Sequence, residues 1–166
     1  PSYSIPFYGN SVLCCAISTT FKIAVCGTIS GDIVVSSLYE GRKINVIKLG
    51  KEYRPTKLLI TNSWGFIVTY ATTEIGPGGE KSKQFIFVHN INGTFIRSVQ
   101  LTGPITAWCA FSSNSDFDYL AISFDQGKLH LFEAFYLDIG DPFYRCYNPV
   151  VNLFYLKDSR MIVAVK

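Results

Sequence analysis

The amino-acid sequence predicts an all-β fold that repeats a unit of four short strands. Apolar or alternating runs of five to eight residues recur along the 166-residue chain, with Gly, Pro, Asn, Asp and Ser between them, and none shows a convincing helical period. The composition agrees with this prediction. Of all residues, 48% are hydrophobic and 15% are aromatic, and flat aromatic side chains pack well on a pleated sheet.

Three such units and the start of a fourth follow one another along the chain. The predicted strands are residues 12–17, 22–26, 32–36 and 43–48 in the first unit, 56–60, 65–70, 84–88 and 95–99 in the second, and 105–111, 119–123, 128–132 and 143–146 in the third, with 150–155 opening the fourth. Turn residues separate the strands. Asn92-Gly93 in particular is a strong hairpin signal within the second unit.

The repeat is also visible in individual residues. Residues 16–18 (Ala-Ile-Ser) match residues 110–112 (Ala-Phe-Ser), and Gly31 and Gly127 lie 96 residues apart, which is two repeats of 48. Repeats of 40 to 50 residues with four short strands each are typical of β-propeller blades. We therefore expect about three and a half blades of a longer propeller. Their approximate boundaries are 8–50, 51–101, 102–147 and 148–166, the last of them truncated.

Each unit resembles a degenerate WD40 repeat. Where that family has Trp-Asp, this chain has Ser36-Ser37, His89-Asn90 and Phe132-Glu133. Where the family has Gly-His, this chain has Gly9-Asn10 and Gly103-Pro104. The departure implies that the family's usual hydrogen-bond network is absent or replaced, so that apolar packing contributes more to blade cohesion.

Two segments resemble the carboxy-terminal propellers of BEACH-domain proteins more closely: residues 56–68 and residues 127–137. The sequence between them follows the same pattern, so the resemblance covers most of residues 8–166. It implies a non-enzymatic protein-interaction module of a large intracellular scaffold in vesicle trafficking and membrane dynamics. The implied BEACH domain would lie upstream in the same chain. The implied location is cytoplasmic and peripheral on intracellular membranes, with membrane association only through the full-length protein.

Catalytic and metal-binding patterns are missing from the sequence. It has no H-E-x-x-H, G-x-S-x-G or P-loop motif, and its two histidines, His89 and His130, fall in third strands, where we expect packing roles. The carboxylates of two turns, Asp116 with Asp118 and Asp138 with Asp141, are too few for a calcium loop, and we expect them to be solvated. We therefore predict no enzyme activity, no cofactor and no metal. The alternative is a fragment of a propeller hydrolase or lyase whose catalytic residues lie outside this chain.

The five cysteines are odd in number and contain no C-x-x-C, so we expect reduced thiols that act as small apolar side chains in a cytosolic protein. Cys14 and Cys15 are adjacent in an alternating segment and should point to opposite faces of a sheet. Trp64, which follows a turn, is expected to pack between blades.

The remaining candidate is a surface that binds other proteins. Fifteen Lys and Arg against twelve Asp and Glu give a net charge of +3, too mild to indicate nucleic acid as a partner. In a propeller, loops 28–31, 50–54, 75–83, 102–104 and 124–126 would gather on one face. Tyr53 with Arg54 is an aromatic–guanidinium pair of the type enriched at binding hot spots, and Lys81 and Lys83 add positive charge. A weaker possibility is lipid or phosphoinositide binding, which a negative liposome co-sedimentation assay would exclude.

Overall fold

The computed structural model describes residues 11–74, 82–113, 117–138 and 140–166, and every regular element in these ranges is a β-strand. They form three four-stranded sheets and one two-stranded sheet, in which strands consecutive in sequence are neighbours. Every pairing with a defined register is antiparallel. The predicted all-β class and its four-stranded units are therefore confirmed.

The strand bounds are as follows. The first sheet contains β1 (Val12–Ser18), β2 (Ile23–Thr28), β3 (Asp32–Ser37) and β4 (Lys43–Lys48); the second contains β5 (Tyr53–Ile60), β6 (Ile67–Thr73), β7 (Gln84–His89) and β8 (Phe95–Leu101); the third contains β9 (Ile105–Ser113), β10 (Phe117–Phe124), β11 (Lys128–Glu133) and β12 (Tyr144–Arg145); and the last contains β13 (Asn152–Leu156) and β14 (Met161–Val165).

The chain divides into two compact units. The first comprises Pro1–Ile60 and Gly65–Gln100, and in it β5 packs against β1 and β2. Its core is a set of buried aliphatic side chains: Ile23, Val25, Ile33, Val35, Ile47, Leu58 and Ile67. Because five of these belong to the first sheet and two to the second, the burial of apolar surface holds consecutive sheets face to face.

The second compact unit comprises Thr61–Trp64 and Leu101–Lys166, and in it β13 packs against β9. Its buried core contains small and aliphatic side chains: Ala107, Ala121, Leu129, Cys146, Val150 and Leu153. The ring of Phe111 stacks on Tyr155 with centroids 4.6 Å apart and on Tyr119 with centroids 5.6 Å apart. Aromatic stacking thus supplements aliphatic packing between β9 and β13.

One turn recurs in both units at the predicted spacing. Gly31 has φ +79° and donates its amide to the carbonyl of Thr28 at 3.1 Å, while Gly127 has φ +69° and donates to Phe124 at 2.9 Å. Glycine reaches this left-handed region without steric cost, which is why the turn between the second and third strands ends in glycine in both repeats. The predicted equivalence of these two glycines is confirmed.

Strand bounds differ from the predicted ones in several places, among them β5 and β12. The strand predicted at residues 56–60 begins at Tyr53, because Tyr53 and Arg54 pair with Thr73 and Thr72 at the end of β6. The two candidate binding residues therefore belong to a strand and not to a loop. The last strand of the third sheet, predicted at residues 143–146, contains only Tyr144–Arg145.

Candidate interaction surface

Three of the four predicted binding residues lie at one end of the second sheet. Tyr53 and Arg54 open β5 there, opposite the end of β6. Lys83 precedes β7 and is held at the same end, because its amide donates to the Thr73 hydroxyl at 2.9 Å and its carbonyl accepts from the Thr73 amide at 2.9 Å. Lys81 lies outside the described residues, as does most of its loop.

Arg54 is engaged in an ion pair across the sheet. Its Nε atom donates to Oε1 of Glu74 at 2.7 Å, and its terminal nitrogen Nη2 lies 2.5 Å from the same oxygen. The Arg54 and Glu74 side chains are 46% and 57% exposed, so this pair is available to a partner at the surface. Glu74 compensates the guanidinium charge and also holds the side chain in one orientation.

Tyr53 is half-buried in an aromatic cluster. Its ring meets Phe87 edge to face with centroids 5.0 Å apart, and Phe85 in the same manner at 5.4 Å. Successive strand residues point to opposite faces, so Tyr53 lies on the face of Phe85 and Phe87 while Arg54 lies on the other. The aromatic and the guanidinium group are therefore neighbours at one sheet end, each fixed by its own contacts.

A second loop lies beside this end of the sheet. Gly31, in the turn between β2 and β3, accepts the amide of Leu49 at 3.0 Å, and a Cβ added to Gly31 would overlap the carbonyl oxygen of Gly50. Gly50 in turn accepts the amide of Tyr53 at 3.1 Å. Within the first unit, the turn at residues 28–32 and the connection at 49–54 therefore lie together. The surface formed by Tyr53, Arg54, Glu74 and Lys83 is called the β5 end surface below.

Asp118 is an important residue that the sequence analysis missed. Its carboxylate is 2% exposed and accepts Ser112 Oγ at 2.6 Å, the Trp64 amide at 2.9 Å and the Ser63 amide at 3.1 Å. Burial acts to raise the pKa of Asp118, but these bonds and one from the Thr61 side chain together lower it below its ordinary value. Asp118 is therefore an ionised anchor for the turn after β5.

Two expectations are corrected by this network. Asp118 was expected to be a solvated turn residue, whereas it is buried on β10; Asp116 lies outside the described residues, while Asp138 and Asp141 are exposed as expected. Trp64 was expected to pack between blades, but the residue is 59% exposed and its amide is what contacts Asp118. The sequence signals at this network were the Ala-Phe-Ser repeat that ends at Ser112 and the segment 56–68 that contains Ser63 and Trp64, but neither indicated a contact with Asp118.

Both histidines occupy third strands, as predicted. His89 on β7 is 4% exposed, its ring meets Phe95 edge to face at 5.6 Å, and burial lowers its pKa. His130 on β11 meets Phe124 edge to face at 5.2 Å and bonds through Nδ1 to the carbonyl of Gly140 at 3.0 Å. The ring contacts are packing contacts within each sheet, and His130 also bonds the connection that follows β11.

The part of the chain that the structure describes contains neither a group of metal ligands nor a membrane-spanning helix. There, no three or more His, Cys, Asp or Glu side chains are grouped so that they could hold a metal ion. Within the same ranges, no helix has the length and apolar character needed to cross a membrane.

No protein-family model matches the chain. Solved β-propeller-like structures do match its fold. U3-55K superposes with a TM-score of 0.62 at 11% identity, over 90% of this chain and 44% of that chain. The computationally designed Ika4 protein gives 0.60 at 17% identity, over 98% and 94%. BamB from Moraxella catarrhalis gives 0.53 at 18% identity, over 86% and 38%.

These similarities establish the fold. The chain has the fold of a partial WD40-like β-propeller. It spans less than half the length of U3-55K and of BamB.

Proposed function

We propose that the chain is a non-enzymatic protein-interaction module whose contact surface is the β5 end surface. The observation that carries the proposal is the fixed arrangement of Tyr53 and the Arg54–Glu74 pair at the sheet end where two connections meet. Tyrosine and arginine are enriched at binding hot spots, and side chains that are already ordered lose less entropy on binding.

We also propose that this module belongs to a BEACH-type scaffold that acts in vesicle trafficking and membrane dynamics. The support is the resemblance of residues 56–68 and 127–137 to the propellers of that family. Those residues form much of the β5–β6 hairpin and the whole of β11. Such a scaffold is cytoplasmic and reaches intracellular membranes through other parts of the full-length protein. Its BEACH domain would lie upstream in the same chain.

The scaffold proposal is tested on the full-length gene product. A BEACH domain encoded upstream, together with a cytoplasmic and vesicle-associated distribution of the tagged full-length protein, is the expected result. Histidines and carboxylates clustered in other blades, with hydrolase or lyase activity of the whole protein, would support the enzyme alternative instead.

The interaction proposal is tested by affinity capture with quantitative mass spectrometry. The full-length protein is compared with its Tyr53→Ala, Arg54→Ala double variant, both checked for native circular dichroism. The expected result is that a discrete set of proteins is captured by the wild type and lost from the double variant. Equal capture of every protein by both would refute the assignment of this surface.

The chain offers a closely matched control in the turn between β3 and β4. Tyr39 is 60% exposed, and Arg42 forms an exposed ion pair with Glu40, so the same two residue types are present. That turn lies at the opposite end of the first sheet from the turn at residues 28–32, because successive turns of a meander alternate between ends. The Tyr39→Ala, Arg42→Ala variant is therefore expected to retain the captured proteins.

A further inference from the structure

Two cysteines of the first sheet face each other directly. Cys15 on β1 and Cys26 on β2 are cross-strand partners in the antiparallel register. Directly opposite residues of such a pair point to the same face of the sheet. The sequence alone does not pair these two cysteines, because eleven positions separate them along the chain and only the register brings them together.

The hydrogen-bond pattern shows which kind of pair they form. The carbonyl of Lys22 accepts the amide of Leu38, which follows β3. Main-chain polar groups of alternate strand residues point to the same neighbour, so those of Ala24 and Cys26 also point toward β3. Cys15 and Cys26 are thus a non-hydrogen-bonded pair of β1 and β2. The Cα atoms of such pairs are about 4.5 Å apart, at the short end of the roughly 4.4–6.8 Å range for disulfides.

The remaining cysteine of this sheet is directed elsewhere. Cys14 lies on the opposite face, where it packs against the core that contains Val25, and burial raises the pKa of its thiol to about 11. On the face that Cys15 and Cys26 share, Cys15 is exposed and Cys26 is 8% exposed. One thiol of the pair is therefore accessible to a reagent, and the other lies beside it on the neighbouring strand.

We propose that Cys15 and Cys26 are a thiol–disulfide modification site, oxidised by a small disulfide such as glutathione disulfide. The inference does not depend on the proposed interaction surface, whereas the choice of glutathione disulfide as the oxidant rests on the proposed cytoplasmic location. In an intracellular protein, disulfides are typically transient and redox-sensing.

The reaction proceeds by two thiol–disulfide exchanges. The Cys15 thiolate attacks one sulfur of glutathione disulfide, which forms a mixed disulfide and releases one glutathione thiolate. Cys26 then gives its proton to solvent, and its sulfur attacks Cys15 Sγ and releases the second glutathione thiolate. In total the protein loses two protons and two electrons, which reduce glutathione disulfide to two molecules of glutathione. Burial, together with the charge of Cys15, raises the pKa of Cys26, which favours the exposed Cys15 as the first nucleophile.

The test exposes the full-length protein to glutathione disulfide at neutral pH, followed by alkylation, tryptic digestion and mass spectrometry. Cleavage after Lys22 separates the peptide of Cys15 from that of Cys26, so a cross-link between them is directly visible. The expected result is a linked pair in which neither Cys15 nor Cys26 is alkylated, and a thiol reductant should reverse it. A wild-type protein in which both thiols stay free, or in which Cys15 stops at a stable glutathione adduct, would overturn the proposal.

Single cysteine variants show which two sulfur atoms form the disulfide. Cys14→Ser is the control, and it should form the cross-link as the wild type does, whereas Cys15→Ser should not. Cys26→Ser should stop at a glutathione adduct on Cys15. A link that persists in Cys15→Ser, and so involves Cys14, contradicts the proposed register pair. If Cys14→Ser does not fold, fragment-ion sequencing of the wild-type linked peptide distinguishes Cys14 from Cys15 without it.

Discussion

The Asp118→Ala variant should be strongly destabilised. The substitution removes the acceptor for the Ser112 and Thr61 side chains and for the amides of Ser63 and Trp64. These donors come from two separate segments of the second unit, so the carboxylate holds the turn after β5 against β10.

The magnitude follows from the burial of the donors. A buried polar group that loses its partner costs about 1–3 kcal/mol. Thr61 is fully buried, whereas Ser63 is half-buried and Trp64 is exposed, so water can replace part of what the two amides lose. We therefore expect Asp118→Ala to lower the free energy of unfolding by about 3 kcal/mol, less than the sum of four unpaired donors. Ser112→Ala removes one donor and should cost about 1 kcal/mol.

The assay is urea unfolding followed by circular dichroism and by tryptophan fluorescence, with Asp158→Ala as the control. Asp158 is an exposed turn residue of the same unit, and its substitution should change the unfolding free energy by less than about 0.5 kcal/mol. In a double-mutant cycle, Asp118→Ala and Ser112→Ala should be non-additive, because they share one hydrogen bond. An Asp118→Ala variant as stable as the Asp158→Ala control would refute the anchoring role.

Acid unfolding provides an independent check of the same carboxylate. The folded pKa of Asp118 lies below its ordinary value of 3.8, so its stabilisation is fully present above that pH and is lost as the pH falls through the folded pKa. The Asp118→Asn variant carries no titrating group at this position. Its stability should therefore depend less steeply on pH below about 4 than that of the wild type.

Three further predictions concern other parts of the chain. Gly31→Ala and Gly127→Ala should each cost at least about 2 kcal/mol of unfolding free energy, because both residues have positive φ and an added Cβ would overlap a backbone carbonyl oxygen. Gly140→Ala is the control and should be neutral, because its added Cβ meets nothing within 4 Å. Equal urea midpoints for all three variants would contradict this prediction. Arg54→Ala should lower stability by less than about 1 kcal/mol, since its ion pair is exposed, so a large loss of stability would show that Arg54 has a structural role. Burial lowers the pKa of His89 in the folded protein, so the free energy of unfolding of the wild type should decline as the pH falls below about 6.5. The same decline should be shallower in His89→Gln. Parallel plots of unfolding free energy against pH for the two proteins would argue against a neutral buried His89.

The local features of the fold were predictable from the sequence. Strand rhythm and turn chemistry depend on neighbouring residues, so the four-strand units, the glycine turns at Gly31 and Gly127 and the opposite orientation of Cys14 and Cys15 could all be predicted.

The features that were missed depend on residues distant in sequence. From the sequence, Asp118 is an acidic residue beside a turn. Its hydrogen-bond donors Ser63 and Trp64 lie 55 and 54 positions upstream, so no local pattern connects them to it. The early start of β5 depends on pairing with Thr73 and on contacts of Tyr53 with Phe85 and Phe87. The Cys15–Cys26 pair requires the register of β1 and β2. Composition and periodicity contain no information on such contacts.

The central claim, that the β5 end surface binds a protein partner, is tested most directly by an affinity measurement. A protein captured by the wild type would be purified, and its dissociation constant measured for the wild type, the Tyr53→Ala, Arg54→Ala variant and the Tyr39→Ala, Arg42→Ala control. Loss of a hot-spot tyrosine and arginine should weaken binding about tenfold or more, while the control stays within about twofold of the wild type. Equal dissociation constants for the wild type and the Tyr53, Arg54 variant, or an equal loss in the control, would contradict the account.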